Sequence, residues 1–221
     1  MIPCAYFSNG KCVETMEAHV KRGLELIEKL YIKRNYTALL GKLLGVKPDV
    51  AGDILRKVYV LHDVGKCLET FQTRRGKFSY HEFYSYLVAK DVLREFGTAG
   101  QIASVAILLH HHDWVRNTLV ERPPSLRLIK ECPPLIKNLS GLTIPGEVPW
   151  NKPLEEYSSV EGILRKSLRA VYALLLPTVV ADNYSAACNR GGAGSMLGKE
   201  ILETLEVRGW DFAGCLSSGL R

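Results

Sequence analysis

Six histidines fall within the first 112 residues: His19, His62, His81, His110, His111 and His112. Each lies in or beside an apolar stretch. His62 is followed by Asp63 at the end of the run Val58-Tyr59-Val60-Leu61. A carboxylate is costly to take out of water without a partner, and a metal ion is a sufficient partner. Asp182 poses the same problem inside a later apolar stretch. Five segments therefore deliver imidazole or carboxylate: His19, His62-Asp63, His81, His110 to His112, and Asp182. A set so scattered must be assembled by folding, as happens in sites built between bundle helices. Imidazole and carboxylate without thiolate suit Mn²⁺, Fe²⁺, Ni²⁺, Co²⁺, Zn²⁺ or Mg²⁺. The set is large enough for two divalent cations with open positions, and Asp63 is the natural bridging carboxylate.

Two further groups could meet an anionic substrate. Lys66 follows His62 by one helical turn, so its ammonium is in reach of a phosphate oxygen or of Asp63. Arg74, Arg75 and Lys77 precede His81 without an intervening acid, and Phe71, Phe78 and Tyr80 are interleaved with them. Basic and aromatic residues in alternation suit backbone phosphates and stacked bases. Each residue also has a plainer reading. His19 could be a satisfied core imidazole, and His62-Asp63 a helix cap salt-bridged to Lys66. The histidine run could be a surface tract, Asp182 an N-cap, and the 74–77 stretch a solvated loop.

The elements that must position these groups read as helical. Residues 1–12 form an extended start with a turn at Asn9-Gly10. A helix is expected from about Glu14 to Lys33, with Leu24, Ile27, Leu30 and Tyr31 at helical spacing. A short one follows near Tyr36–Leu44, ended by Gly45. The next runs from an Asp49 N-cap to about Lys66, with Gly65 suited to its end. Residues 70–80 read as a loop. A helix beginning near Ser79 carries His81, Tyr84, Val88 and Val92, and Gly97 and Gly100 should break it. Gln101–His112 is apolar nearly all round, as a central buried helix is. Seven of the ten prolines fall within 116–158, which reads as a long irregular insertion with a short helix around Leu126–Glu131. A long helix from about Ser159 to Asn189 should kink at Pro177, one turn before Asp182. A last amphipathic helix spans about Ser195–Glu206. The pattern is all-α, without a convincing strand hairpin.

At 221 residues the chain suffices for one large domain, taken as 1–221 with a metal-site core over about 14–190. Its apolar runs are too short to span a bilayer and nothing reads as a signal peptide, so a cytoplasmic protein with no membrane partner is expected. The net charge of +6 mildly favours a polyanionic partner. Cys4, Cys12, Cys67, Cys132, Cys188 and Cys215 contain no CxxC pair, which argues against a zinc ribbon. In a reducing compartment they should be free thiols, a Cys4–Cys12 link being the one pairing worth noting.

Together, His-Asp-Val-Gly-Lys at 62–66, the lone His81, the histidines near 111 and Ala-Asp-Asn-Tyr-Ser at 181–185 resemble the HD-domain metal-dependent phosphohydrolases. Within them the pattern is most similar to the stand-alone HD nuclease subunit of archaeal type I CRISPR systems. The resemblance implies an all-α HD-domain helical bundle. It also implies a division of ligands: His19, His62, Asp63 and Asp182 for one metal, and Asp63, His81 and two of His110, His111 and His112 for the other. Asp63 and Lys66 would be catalytic, with Lys66, Arg74, Arg75 and Lys77 on the substrate. Two divalent ions (Mn, Ni, Co, Fe or Mg) would support hydrolysis of DNA phosphodiesters, preferentially in single-stranded DNA. The implied partners are a CRISPR helicase subunit and a target-recognition complex. One alternative is an HD phosphohydrolase acting on nucleotides or cyclic nucleotides, which needs a closed pocket. Another is an idle HD domain that only binds nucleic acid or a partner.

Overall fold

The computed structural model describes residues 1–111, 120–190 and 196–209. The chain opens with a two-stranded antiparallel ribbon, β1 (Cys4–Ser8) and β2 (Lys11–Thr15). Asn9 and Gly10 both take positive φ at its tip, a turn that Asn-Gly favours. This ribbon corrects the expectation of no hairpin. Its strands are five residues each and β2 is mostly exposed, so no alternating apolar pattern announces them. Everything else that is regular among the described residues is helical, and the fold is an all-α bundle.

Thr15 ends the ribbon and caps the first helix, α1 (Met16–Leu30), by accepting the Ala18 N–H at 3.2 Å. The inner face of α1 buries Met16, His19, Val20, Gly23, Leu26 and Ile27. Then come α2 (Tyr36–Leu44) and α3 (Pro48–Leu61). α3 starts on Pro48 after Lys47 and not on an Asp49 cap, since proline at the first helical position sacrifices no hydrogen bond. It stops at Leu61, five residues short of the expected end. His62 and Asp63 lead into a 3₁₀ turn, Val64–Cys67.

The stretch expected to be a loop contains α4 (Glu69–Arg74), closed by Arg75 at φ +52. Next are α5 (His81–Val92) and α6 (Gly97–Leu108). Gly97 opens α6 and Gly100 lies inside it. A Cβ on Gly100 would come within 1.9 Å of the Leu93 carbonyl oxygen, so this glycine permits a close approach and does not break the helix. α7 (Cys132–Ser140) lies in the region expected to be irregular. Pro133 and Pro134 occupy its first turn, where prolines start a helix. Leu126–Glu131 is not helical; Leu128 bridges to Leu68, and Arg127 to Glu147.

The longest helix, α8 (Pro153–Asn189), departs from helical geometry at Ser167 (φ −135, ψ 26) and not at Pro177. Pro177 deprives the Ala173 carbonyl of its helical partner, and the Tyr36 hydroxyl supplies a replacement at 3.0 Å. α9 (Met196–Val207) packs on α8. α1 lies against α8 and α3, and α6 against α5 and α8, which builds the core. No helix among the described residues is long and apolar enough to cross a membrane.

The cysteines among the described residues are not free thiols. Cys4 is bonded to Cys12 across the ribbon, Cys67 to Cys132, and Cys188 is disulfide-bonded too. Cys67 and Cys132 are widely separated in sequence but meet where the 3₁₀ turn abuts the start of α7, a proximity that composition does not reveal.

Candidate metal centre

α1, α3 and α8 are knotted together directly beneath the polar cluster. Gly23 leaves room for the Tyr59 ring; a Cβ there would lie 1.9 Å from Tyr59 Oη. That hydroxyl meets Ser185 Oγ at 3.0 Å and the Ala181 carbonyl at 3.3 Å. His19, His62 and Asp182 are thereby drawn from three helices to one point. Gly65 does the same for the other side. A Cβ there would fall 2.2 Å from the His81 carbonyl oxygen, and its N–H is held by Ser85 Oγ at 2.8 Å. The 3₁₀ turn thus sits flush on the first turn of α5.

The result is two four-residue groups that share Asp63. One contains His19, His62, Asp63 and Asp182; the other Asp63, His81, His110 and His111. Within each group the candidate ligand atoms all lie within 4.8 Å of one another. Asp63 Oδ2 faces His19 Nε2 at 3.6 Å and His62 Nε2 at 3.5 Å. Asp63 Oδ1 faces His81 Nε2 at 3.0 Å and His110 Nε2 at 3.7 Å. Asp182 Oδ1 stands 3.1 Å from His19 Nε2 and 3.7 Å from His62 Nε2. His111 Nε2 approaches His81 Nε2 to 3.1 Å. Among the described residues the second group takes in His110 and His111; His112 lies outside them.

The outward-facing nitrogens are organised for ligation. His62, His81 and His110 each place Nδ1 on the backbone carbonyl three residues earlier, those of Tyr59, Phe78 and Ile107. His19 Nδ1 meets Glu14 Oε1 at 2.8 Å. An imidazole that donates Nδ1–H presents the Nε2 lone pair, the arrangement seen in metal-ligating histidines. Four of the facing atoms, His19, His62 and His110 Nε2 and Asp63 Oδ1, are buried with no hydrogen bond of acceptable geometry. Leaving one such atom unpaired costs about 1–3 kcal/mol. A divalent cation in each group would satisfy all four, so the residues fit two cations.

Charge is distributed to match. Burial pushes Asp63 up, but the Lys66 ammonium and neighbouring imidazoles outweigh it and hold the carboxyl well below its usual range. Burial likewise opposes ionisation of Asp182, and His19 and His62 overcome it. Burial would lower His19, yet Asp182 and Glu14 raise it to about 9, so without a cation Nε2 holds a proton that metal binding must displace. Burial and the charges of His110 and His81 push His111 down to about 2. The second group therefore offers His111 as a neutral imidazole, the form that binds metal.

Lys66 Nζ is 2.6 Å from Asp63 Oδ2 and 5.7 Å from the centre of the Phe78 ring. It lines a cleft of about 680 Å³ whose floor carries His81, His110, His111 and Asp182. Arg75 and Lys77 are on the cleft wall. Arg74 is not; it lines a separate pocket with Tyr80 and Arg122. The structure adds wall residues that sequence reasoning missed: Tyr6, Phe7 and Asn9 from the ribbon, and Asn183 and Arg190 from α8. Nothing in their spacing links the ribbon to the end of α8. Glu14, buried behind His19, was read only as the start of a helix.

Residues 35–132 match the family model of the HD domain. That window contains His62, Asp63, His81, His110 and His111, while His19 and Asp182 flank it. No curated protein sequence matches the chain. Among solved structures, the chain is similar to the CRISPR-associated Cas3 HD domain protein from Methanocaldococcus jannaschii. The identity is 18%, the TM-score 0.49, and the match covers 75% of this chain and 95% of that one. The matched window is less than half of the chain, holds the His-Asp doublet and is helical, and over it the chain is similar to the HD domain.

Proposed function

We propose that the protein is a two-metal phosphodiesterase that cuts DNA, preferentially single-stranded, in CRISPR interference beside a separate helicase and a target-recognition complex. The observation that carries the reading is the cleft: its floor is lined by His81, His110, His111 and Asp182, members of the two four-residue groups joined by buried Asp63, and its wall bears Arg75, Lys77 and Arg190 with Tyr6, Phe7 and Phe78. Guanidinium and ammonium groups neutralise successive phosphates, and aromatic rings stack on unpaired bases. A cleft lined along its length by such groups suits a polymer better than a single nucleotide, which calls for an enclosing pocket.

His19, His62, Asp63 and Asp182, and Asp63, His81, His110 and His111, would hold the cations, which when bound would supply Lewis acidity at phosphoryl oxygens and a lowered pKa for water. The chain's own residues do the rest. Asp63 turns Oδ2 toward His19 and His62 and Oδ1 toward His81 and His110, so it could serve both groups at once. The four Nδ1 contacts aim the imidazoles and hold them against rotation. Lys66 tethers Asp63 Oδ2 from the cleft side, where its ammonium also adds positive charge near an incoming phosphate. Phe7 and Phe78 stack at 5.7 Å between centroids and give the wall a rigid apolar ledge.

The test is hydrolysis of single-stranded DNA, duplex DNA, RNA and a nucleotide panel, each with Mn²⁺, Ni²⁺, Co²⁺ or Mg²⁺, using Asp63→Ala as control. Cutting of single-stranded DNA that vanishes in the control is expected. Turnover of nucleotides with no cutting of any polymer would make the protein a nucleotide phosphohydrolase instead. Binding without turnover under every metal would make it an idle domain.

A further inference from the structure

Of the five candidate imidazoles, three are held by backbone carbonyls at helix ends, and His19 is held by a carboxylate. His62 follows the last residue of α3, His81 begins α5, and His110 follows α6. There the carbonyl three residues back lies at the edge of the regular ladder and accepts Nδ1–H, those of Phe78 and Ile107 taking the histidine's own N–H as well at 3.4 Å. His19 sits inside α1, where the carbonyl three residues back belongs to the helical ladder. Its Nδ1 turns instead to Glu14, a carboxylate on β2 with 2% exposure.

A buried carboxylate needs partners, and Glu14 has them on both oxygens. Oε1 accepts from His19 Nδ1 at 2.8 Å and from Asn189 Nδ2 at 2.8 Å. Oε2 accepts from Arg190 Nε at 2.8 Å, with Arg190 Nη2 at 2.7 Å. The Arg190 guanidinium lies 3.9 Å above the Tyr6 ring. One side chain on the ribbon therefore fixes a candidate ligand on α1, the C-terminal end of the helix that carries Asp182, and the Arg190–Tyr6 pair on the cleft wall. Neither Glu14 nor Arg190 falls in the matched window 35–132.

We infer that Glu14 is a positioning residue for the first metal position, fixing the His19 ring and proton so that Nε2 faces the cation, and that the N-terminal ribbon is part of the active centre through it. A carboxylate behind a ligating imidazole raises its basicity, and losing such a partner costs about 10–100-fold in metal affinity. The effect is selective. His81, His110 and His111 make no contact with Glu14 among the described residues, so the second position keeps its affinity.

The inference rests on the two-cation reading, and calorimetry separates the two. Mn²⁺ is titrated into the full-length protein and into Glu14→Gln. Wild type is expected to take up two ions, and uptake of a single ion would count against the two-cation reading alone. In Glu14→Gln one site should weaken by about 10–100-fold while the other stays within about twofold. Equal weakening of both sites, or of neither, overturns the positioning role, since general loosening of the fold does not discriminate between them. The second measurement needs no variant. In the wild type loaded with diamagnetic Zn²⁺, long-range ¹H–¹⁵N spectra should show a protected, downfield Nδ1–H on His19. Absence of that proton overturns the inference even if Glu14→Gln does not fold.

Discussion

Asp63 is the residue on which both groups depend, with Oδ2 toward His19 and His62 and Oδ1 toward His81 and His110. Asp63→Ala should remove both cations from the calorimetric stoichiometry and cost at least about 10²-fold in kcat. His111→Ala touches one group only, so it should leave one Mn²⁺ bound while activity falls by a comparable factor, because two-metal chemistry needs both cations. Asp182→Ala is the mirror case for the other group. Near-normal turnover in Asp182→Ala would remove that residue from the centre. Lys66 behaves differently from these: its ammonium sits on Asp63 and does not project freely into the cleft. Lys66→Met should therefore change metal affinity as well as rate, whereas a pure phosphate contact would leave Mn²⁺ binding untouched.

Among the elements, the 3₁₀ turn and α5 are in backbone contact through Gly65. Gly65→Ala must push the turn off the His81 carbonyl, and overpacking of this kind costs about 1–3 kcal/mol. The displaced pair is Asp63 and His81, so a melting-temperature drop should come with weakened metal binding. α5 is also pinned to α8. Buried Glu156 accepts from Lys90 Nζ at 2.9 and 2.7 Å, from the Tyr86 hydroxyl and from Asn151. Burial pushes Glu156 up, but those donors outweigh it and set it below 4.5. A depressed carboxyl contributes stability above its unfolded value and loses it as pH falls through the folded one. Glu156→Gln should thus cost about 1.5–3 kcal/mol near neutral pH, and thermal melts should show the gap to wild type closing as acid protonates the folded-state carboxyl. Much at this scale was legible: α2 coincides with its expected span, and every ligand segment is helical or flanks a helix. Asn9-Gly10 announced the turn of the ribbon, but not the strands around it. The helix at Cys132–Ser140 is hidden because clustered prolines read as irregular chain, whereas in a first turn they start a helix. Glu14, Arg190 and the Cys67–Cys132 pairing depend on contacts across 65 to 176 residues, which no local pattern encodes.

At the scale of the whole molecule, the two groups gather side chains from residue 19 to residue 182. In the unfolded chain those ligands are far apart, so a cation bound at the centre favours the folded state almost exclusively. Stabilisation by such a ligand is about 2.7 kcal/mol per site at a concentration 100 times its Kd. For a chain of this size each kcal/mol raises Tm by about 2–4 °C, so one occupied site is worth about 5–10 °C. The stabilisation also has a local source, since four buried atoms without hydrogen bonds acquire partners. Adding Mn²⁺ to the chelator-treated protein should raise Tm by at least that amount, and excess EDTA should reverse the shift. Ions that merely gather on the surface would produce a shift of similar size in Asp63→Ala. Cations at the shared carboxylate would produce almost none there, and about half of the wild-type shift in His111→Ala. A differential scanning series over these three proteins thus reads the architecture without any nucleic acid present. An Mn²⁺ shift that persists undiminished in Asp63→Ala would place the metal elsewhere and take the two-cation centre with it.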